Sequence, residues 1–240
     1  MAKKGNKNEA MTMRIKSFTI VLATTLALAA LALPARADFG LTVNGADIAC
    51  ASGEGWTFDG ATVSLTNAGP FVLSTTGESS FTSNVAVVAQ ADCAVTFSHI
   101  EIFAGNHIGL SPFTVAPGVS VTLTLDGNAV LTAGSGAAAI TVVSNATGVA
   151  SLTIDADATD TFHTLGVTGG SQGAGIGTGL RGTCGKITIK GGSGTATKGG
   201  KDKNVRSIGA GLNGTCGTVK VGSTEYSSGI STSPFSWSIE

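Results

Sequence analysis

The residues best suited to chemistry in this chain are Lys186, Thr188, Lys190 and Lys220. Ammonium groups interleaved with a hydroxyl hold anions, so the chemistry they suggest is capture of uronate, sulfate or phosphate groups on a glycan. A solvated face is the competing reading of the same residues. The loop that follows adds Lys198, Lys201, Lys203 and Arg206. A second constellation, Asp155, Asp157 and Asp160, places three carboxylates within six residues. Calcium takes six to eight oxygens from such clusters, and this one is the candidate calcium site. It lacks the glycine and terminal Glu of an EF-hand loop, so an exposed acidic turn stays open as the alternative.

Nothing in the chain spells out catalysis. His99, His107 and His163 are scattered, with no nucleophile in a recognisable motif beside them. A hydrolase would need two carboxylates about 5–9.5 Å apart across a groove, and Asp92 with Asp126 is the pair on offer. A β-helical polysaccharide lyase would need a basic residue beside metal ligands. Beyond the leader, Arg181 and Arg206 are the arginines available, and neither aligns with a basic residue in the neighbouring repeat. A non-enzyme is the expectation, with a lyase as the lesser alternative.

The positioning elements come from a repeat. Ile176-Gly-Thr-Gly-Leu-Arg-Gly-Thr-Cys-Gly185 returns 32 residues later as Ile208-Gly-Ala-Gly-Leu-Asn-Gly-Thr-Cys-Gly217, with eight of ten positions identical. Each copy runs into a short alternating segment, Lys186–Lys190 and Thr218–Val221. A glycine-rich turn plus strand at this period predicts a solenoid, whose units bury their apolar faces only by stacking. With Ile187 and Ile189 inward, Lys186, Thr188 and Lys190 turn outward. Stacking the next unit sets Lys220 beside Thr188, with Lys190 and Lys220 diagonal neighbours about 7–8 Å apart.

The same stacking predicts a disulfide. Cys184 and Cys216 occupy equivalent places, so their α-carbons should lie about 4.8 Å apart, within the span of a bridge. An even cysteine count in an exported chain favours such pairing. Cys50 with Cys93 follows by elimination. Zinc ligands spaced C-x-x-C are missing.

Further short strands read at Val63–Leu65, Val95–Phe97, Val121–Leu125 and Leu152–Ile154, with second strands at Val85–Val88, Phe113–Val115 and Ile140–Val143. The composition agrees: 35 glycines, 12% charged residues and 42% apolar residues suit strands and turns rather than helices or disorder. The expectation is therefore an all-β chain. It is a single right-handed parallel β-helix of about six irregular coils over 38–240, the hand following from the crossover preference of parallel strands. Caps are expected over 38–58, with Trp56, and over 222–240, with Tyr226, Phe235 and Trp237, because end coils expose unpaired edges.

Residues 1–37 read as a signal peptide. Basic residues Lys3 to Lys16 precede an apolar run, Phe18 to Leu33, and a Pro34-Ala-Arg-Ala37 cleavage site. The expected location is secreted, periplasmic or at the cell surface, with no membrane span once the leader is removed. From Asp38 to Leu180 there are eleven acidic residues and no Lys or Arg; from Arg181 onward there are eight basic and three acidic residues. That dipole can steer an anionic polymer to one end, or align molecules head to tail. An exported, acidic chain with few aromatics is not a nucleic-acid binder.

The runs Trp56-Thr-Phe-Asp-Gly-Ala-Thr-Val-Ser-Leu-Thr66 and Val119-Ser-Val-Thr-Leu-Thr-Leu-Asp-Gly-Asn128, followed by Gly173-Ala-Gly-Ile-Gly177, resemble a family of exported bacterial β-solenoid proteins with "GAGIG" repeats. Its members are described as carbohydrate-binding or adhesin-like. The resemblance implies the same fold and a non-catalytic surface role. In polysaccharide-binding β-helices similar to this chain, calcium bridges uronate groups. The functional expectation is recognition of carbohydrate, with an acidic polysaccharide favoured. A structural or self-associating surface protein is the alternative.

Overall fold

Alternation of apolar and polar residues dictates the elements. In Ser120–Leu125 the side chains of Val121, Leu123 and Leu125 are buried, whereas Ser120 and Thr122 are exposed. The same period of two recurs in Ser151–Ile154 and Lys186–Ile189, as strands buried on one face require. A computed structural model describes residues 40–50, 52–75, 82–155 and 163–239. These belong to one compact unit, Asp38–Glu240. The leader expected over 1–37, and Asp157 and Asp160, lie outside the described residues. Among the described residues no helix is long and apolar enough to cross a membrane.

The chain is all-β, built on three long and mostly parallel sheets of nine, eight and six strands. It visits them in rotation. Thr62–Leu65 lies in the eight-stranded sheet, Phe71–Thr75 in the nine-stranded one and Thr82–Ser83 in the six-stranded one. Ala86–Ala89, Cys93–Phe97 and Ile100–Phe103 repeat the circuit, each pairing in parallel with its predecessor. This corrects two sequence expectations. Val63–Leu65 registers with Ala86–Ala89, so it does not belong with Val95–Phe97. A third family of strands also exists: Ile100–Phe103, Ala129–Thr132, Thr164–Thr168 and Gly192–Thr197.

The 32-residue repeat is one layer of this stack. Ile176 registers with Ile208, Gly177 with Gly209, Thr183 with Thr215, Cys184 with Cys216 and Ile187 with Val219. Gly177 shows why the turn needs glycine. Its φ is +136°, and a Cβ there would collide with the Gly209 carbonyl of the next layer. Left-handed Arg181 and Asn213, at φ 58° and 57°, hold the same place in the two copies.

The core runs between the sheets. Phe71, Phe97 and Phe113 are among its largest fully buried side chains, and Phe97 meets Phe113 edge-to-face at 5.4 Å. Burying one such ring contributes roughly 1.5–3 kcal/mol. At both ends the pairing turns antiparallel. Trp56–Phe58 reverses onto Thr62–Leu65, and Leu41–Val43 onto Phe71–Thr75. At the other end Thr224–Tyr226 folds back on Val219–Val221, and Phe235–Ile239 on Gly192–Thr197. Trp237 is buried over Gly194, where a Cβ would strike its ring, and it stacks on Phe235 with centroids 6.3 Å apart.

A lysine- and hydroxyl-lined groove as the candidate functional site

The outward rows of the nine-stranded sheet build the site. Register sets Ser120, Ser151 and Lys186 in one row. The next holds Ala94, Thr122, Thr153, Thr188 and Lys220. Neighbours in a row are one strand spacing apart, about 4.8 Å. Thr96 and Thr124 in the third row share a hydrogen bond of 2.9 Å. The first two rows, hydroxylic along most of their length, end in Lys186 and Lys220.

At that end lies an open groove of about 800 Å³. Its lining includes Cys184, Gly185 and Ile187, and its polar members include Lys186, Thr188, Lys190 and Lys220. The structure thus brings together all four of the anion-binding residues expected from sequence. Two features were not foreseen. The hairpin of Ser144–Asn145 and Gly148–Val149 forms one wall, its turn fastened by Thr147 N–H donating to Asn145 Oδ1 at 2.8 Å. Glu225 forms the other, set opposite Lys220 across the returning strand.

Charge in the groove is mixed but positive. Three lysines face one lining carboxylate, Glu225, on a unit that carries eight basic against fourteen acidic residues from Asp38 to Glu240. Asp155 stands at the rim, its Oδ2 4.0 Å from Lys190 Nζ, with side chains 42% and 60% exposed. An exposed pair like this stabilises by about 1 kcal/mol at most. Asp155, the described member of the acidic constellation, therefore meets the basic one at Lys190. Lys186 has Ser151 as its cross-strand partner, which leaves its ammonium free of an opposed carboxylate in that register.

The basic loop does not join. None of the described lining residues comes from Lys198 to Arg206, because that loop leaves the six-stranded sheet, and Lys198 Nζ donates to the Asp202 carbonyl at 2.8 Å. Among the described residues no group of three or more His, Cys, Asp or Glu is placed to hold a metal ion. His99 and His163, distant in sequence, approach with ring centroids 6.3 Å apart. Gly127 leaves room for the His99 ring, since a Cβ there would strike its Nδ1.

Cys93, Cys184 and Cys216 are thiols in this structure. Cys50 is exposed at the end of the turn Ile48–Cys50. Cys93 is buried and registers with Val121; burial, and then the charge of Asp92, push its thiol up to about 11. Cys184 and Cys216 stand opposite one another. No family model, curated protein or solved structure matches the chain.

Proposed function

We propose that the chain is an exported, non-catalytic recognition protein that binds an acidic polysaccharide along this groove. The fold we infer for it is a right-handed parallel β-helix of about six coils, closed at both ends by the antiparallel strands. Rotation of the chain through three sheets supports that reading, as does the strong preference of parallel crossovers for the right hand. The resemblance to exported "GAGIG" solenoids agrees with it.

One observation carries the functional reading. Lys186, Lys190 and Lys220, with Thr188 between them, line a single open groove at the end of a hydroxyl-bearing face. Repeated hydroxyls at strand spacing suit the repeated hydroxyls of a sugar polymer, and the ammonium groups suit its carboxylates. None of the described lining residues is aromatic. Among the described lining residues charge and hydroxyl contacts stand without a stacking platform for neutral sugar rings, which favours an acidic polymer over a neutral one. Calcium, held by Asp155 with Asp157 and Asp160, is the cofactor this reading accommodates. A lyase is disfavoured, because among the described lining residues Glu225 is the carboxylate and it pairs across the strands with Lys220.

Self-association is the second reading, supported by the segregation of eleven acidic residues from Asp38 to Leu180 from eight basic ones after it. The two part in one experiment. Purified protein is passed over immobilised polygalacturonate and neutral glucans, with calcium or chelator, at low and moderate salt. Salt-sensitive retention on the acidic polymer alone is expected. Absence of retention, with growth in sedimentation velocity as salt is lowered, would replace recognition by head-to-tail assembly.

A further inference from the structure

Cys184 and Cys216 make up the inner ends of a two-stranded ladder, Thr183–Cys184 beside Thr215–Cys216, in parallel register. Such neighbours have α-carbons about 4.8 Å apart, inside the range a disulfide spans. The two thiols are unequal. Cys184 is 5% exposed in the lining of the groove, whereas Cys216 is half-buried. Cys216 and Arg206 flank Gly209 together: a Cβ on that glycine would touch the Cys216 Sγ at 3.4 Å and the Arg206 Cβ at 3.5 Å. The Cys184 S–H has two acceptors in reach, the Gly185 carbonyl at 3.3 Å and Cys216 Sγ. When Cys216 is ionised the charged sulfur takes it. That hydrogen bond, and then the Arg206 charge, hold the Cys216 thiol below its ordinary range. The same hydrogen bond and burial push Cys184 up.

We infer that Cys184 and Cys216 form an asymmetric redox site, in which Cys216 is the entry sulfur and Cys184 the resolving one, closing to a disulfide that ties two layers at the groove. The oxidant is a small disulfide, RSSR. The Cys216 thiolate attacks one of its sulfurs, the S–S bond breaks, and RS⁻ leaves to take up a proton. Cys184 then loses its proton and attacks Cys216 Sγ in the mixed disulfide, expelling the second RS⁻. Two thiols lose two protons and two electrons, and RSSR becomes two RSH. The strands so tied lead directly into Lys186 and Thr218, on the groove's lining. This inference stands whether or not the groove binds a glycan.

The test uses the whole chain and glutathione disulfide, with acid quenching and peptide mapping by mass spectrometry. A Cys184–Cys216 cross-linked peptide is expected in the wild type. In Cys184→Ser, Cys216 should accumulate as a glutathione adduct. In Cys216→Ser, Cys184 should remain a thiol until denaturant is added. Arg206→Ala should slow adduct formation severalfold at neutral pH. Brief alkylation of the reduced wild type gives the order of reactivity without any variant, and Cys216 should be labelled before Cys184. A native wild type that never cross-links this pair, or Cys184 reacting first, would overturn the assignment.

Discussion

Replacing Asp155 by Asn separates the two ways an acidic polymer can be held, because they demand opposite signs. If lysines do the holding, Asp155 is a competitor. Its carboxylate lies 4.0 Å from Lys190 Nζ and repels any uronate that approaches the same ammonium. Exposed pairs of this kind are worth roughly 0.2–1 kcal/mol, so Asp155→Asn should tighten binding by about 1.4- to 5-fold. The gain should shrink as salt rises, since charges are screened over about 8 Å at physiological ionic strength. If calcium bridges carboxylates of protein and polymer, the same variant removes a ligand and weakens binding, with the loss confined to calcium-containing buffer. Titration calorimetry with oligogalacturonate, run with calcium and with chelator, reads both signs. Weaker binding of Asp155→Asn in chelator would refute the argument, because then the carboxylate helps without any cation.

Other outcomes follow from the same geometry. Lys186→Glu turns an attraction into a repulsion at the lysine that faces Ser151; about 0.4–2 kcal/mol, or 2- to 30-fold, should be lost with an unchanged circular dichroism spectrum. Gly177→Ala sets a methyl against the Gly209 carbonyl at φ +136°. It should cost about 1–3 kcal/mol, seen as a fall of about 2–12 °C in Tm. Alkylation tracks the thiolate, so its pH midpoint at Cys216 should lie below that of an ordinary thiol, while Cys93, pushed up to about 11, should resist at about pH 8. Closing the Cys184–Cys216 bridge over a loop of about 33 residues should stabilise by about 3.7 kcal/mol on the chain-entropy account. Thermal melts with and without reductant measure that difference.

Much of the site is legible in the sequence because it sits where the repeat is strongest. Ile187 and Ile189 fix which way Lys186, Thr188 and Lys190 point, and an exact 32-residue offset fixes Lys220 beside Thr188. Away from that offset, register depends on corners of unequal length, and periodicity no longer says which strand stacks on which. Alternation alone therefore sets Val63–Leu65 with Val95–Phe97, whereas it stacks on Val87–Ala89. The third sheet fades toward its last layer, where the inward residues shrink from Ile100, Leu131 and Leu165 to Gly194 and Ala196. Gly194 and Ala196 alternate with Thr195 and Thr197, and the ring that fills the space at Gly194 comes from Trp237, 43 residues on. The Lys190–Asp155 contact continues the register of Ile154 with Ile189, whereas the His99–His163 approach has no sequence signal.

The antiparallel strands at the two ends leave the parallel middle of the molecule as the place where the chain itself can gain a layer. A tandem duplication of residues 176–207 would slip one further layer between Ile176 and its present neighbour, Ile208, leaving both terminal closures untouched. Each such event would extend the outward face by one strand spacing, about 4.8 Å, and add another lysine–threonine–lysine segment to it. The reach of the surface is thereby written in copy number, and evolution can adjust it in steps without redesigning a residue.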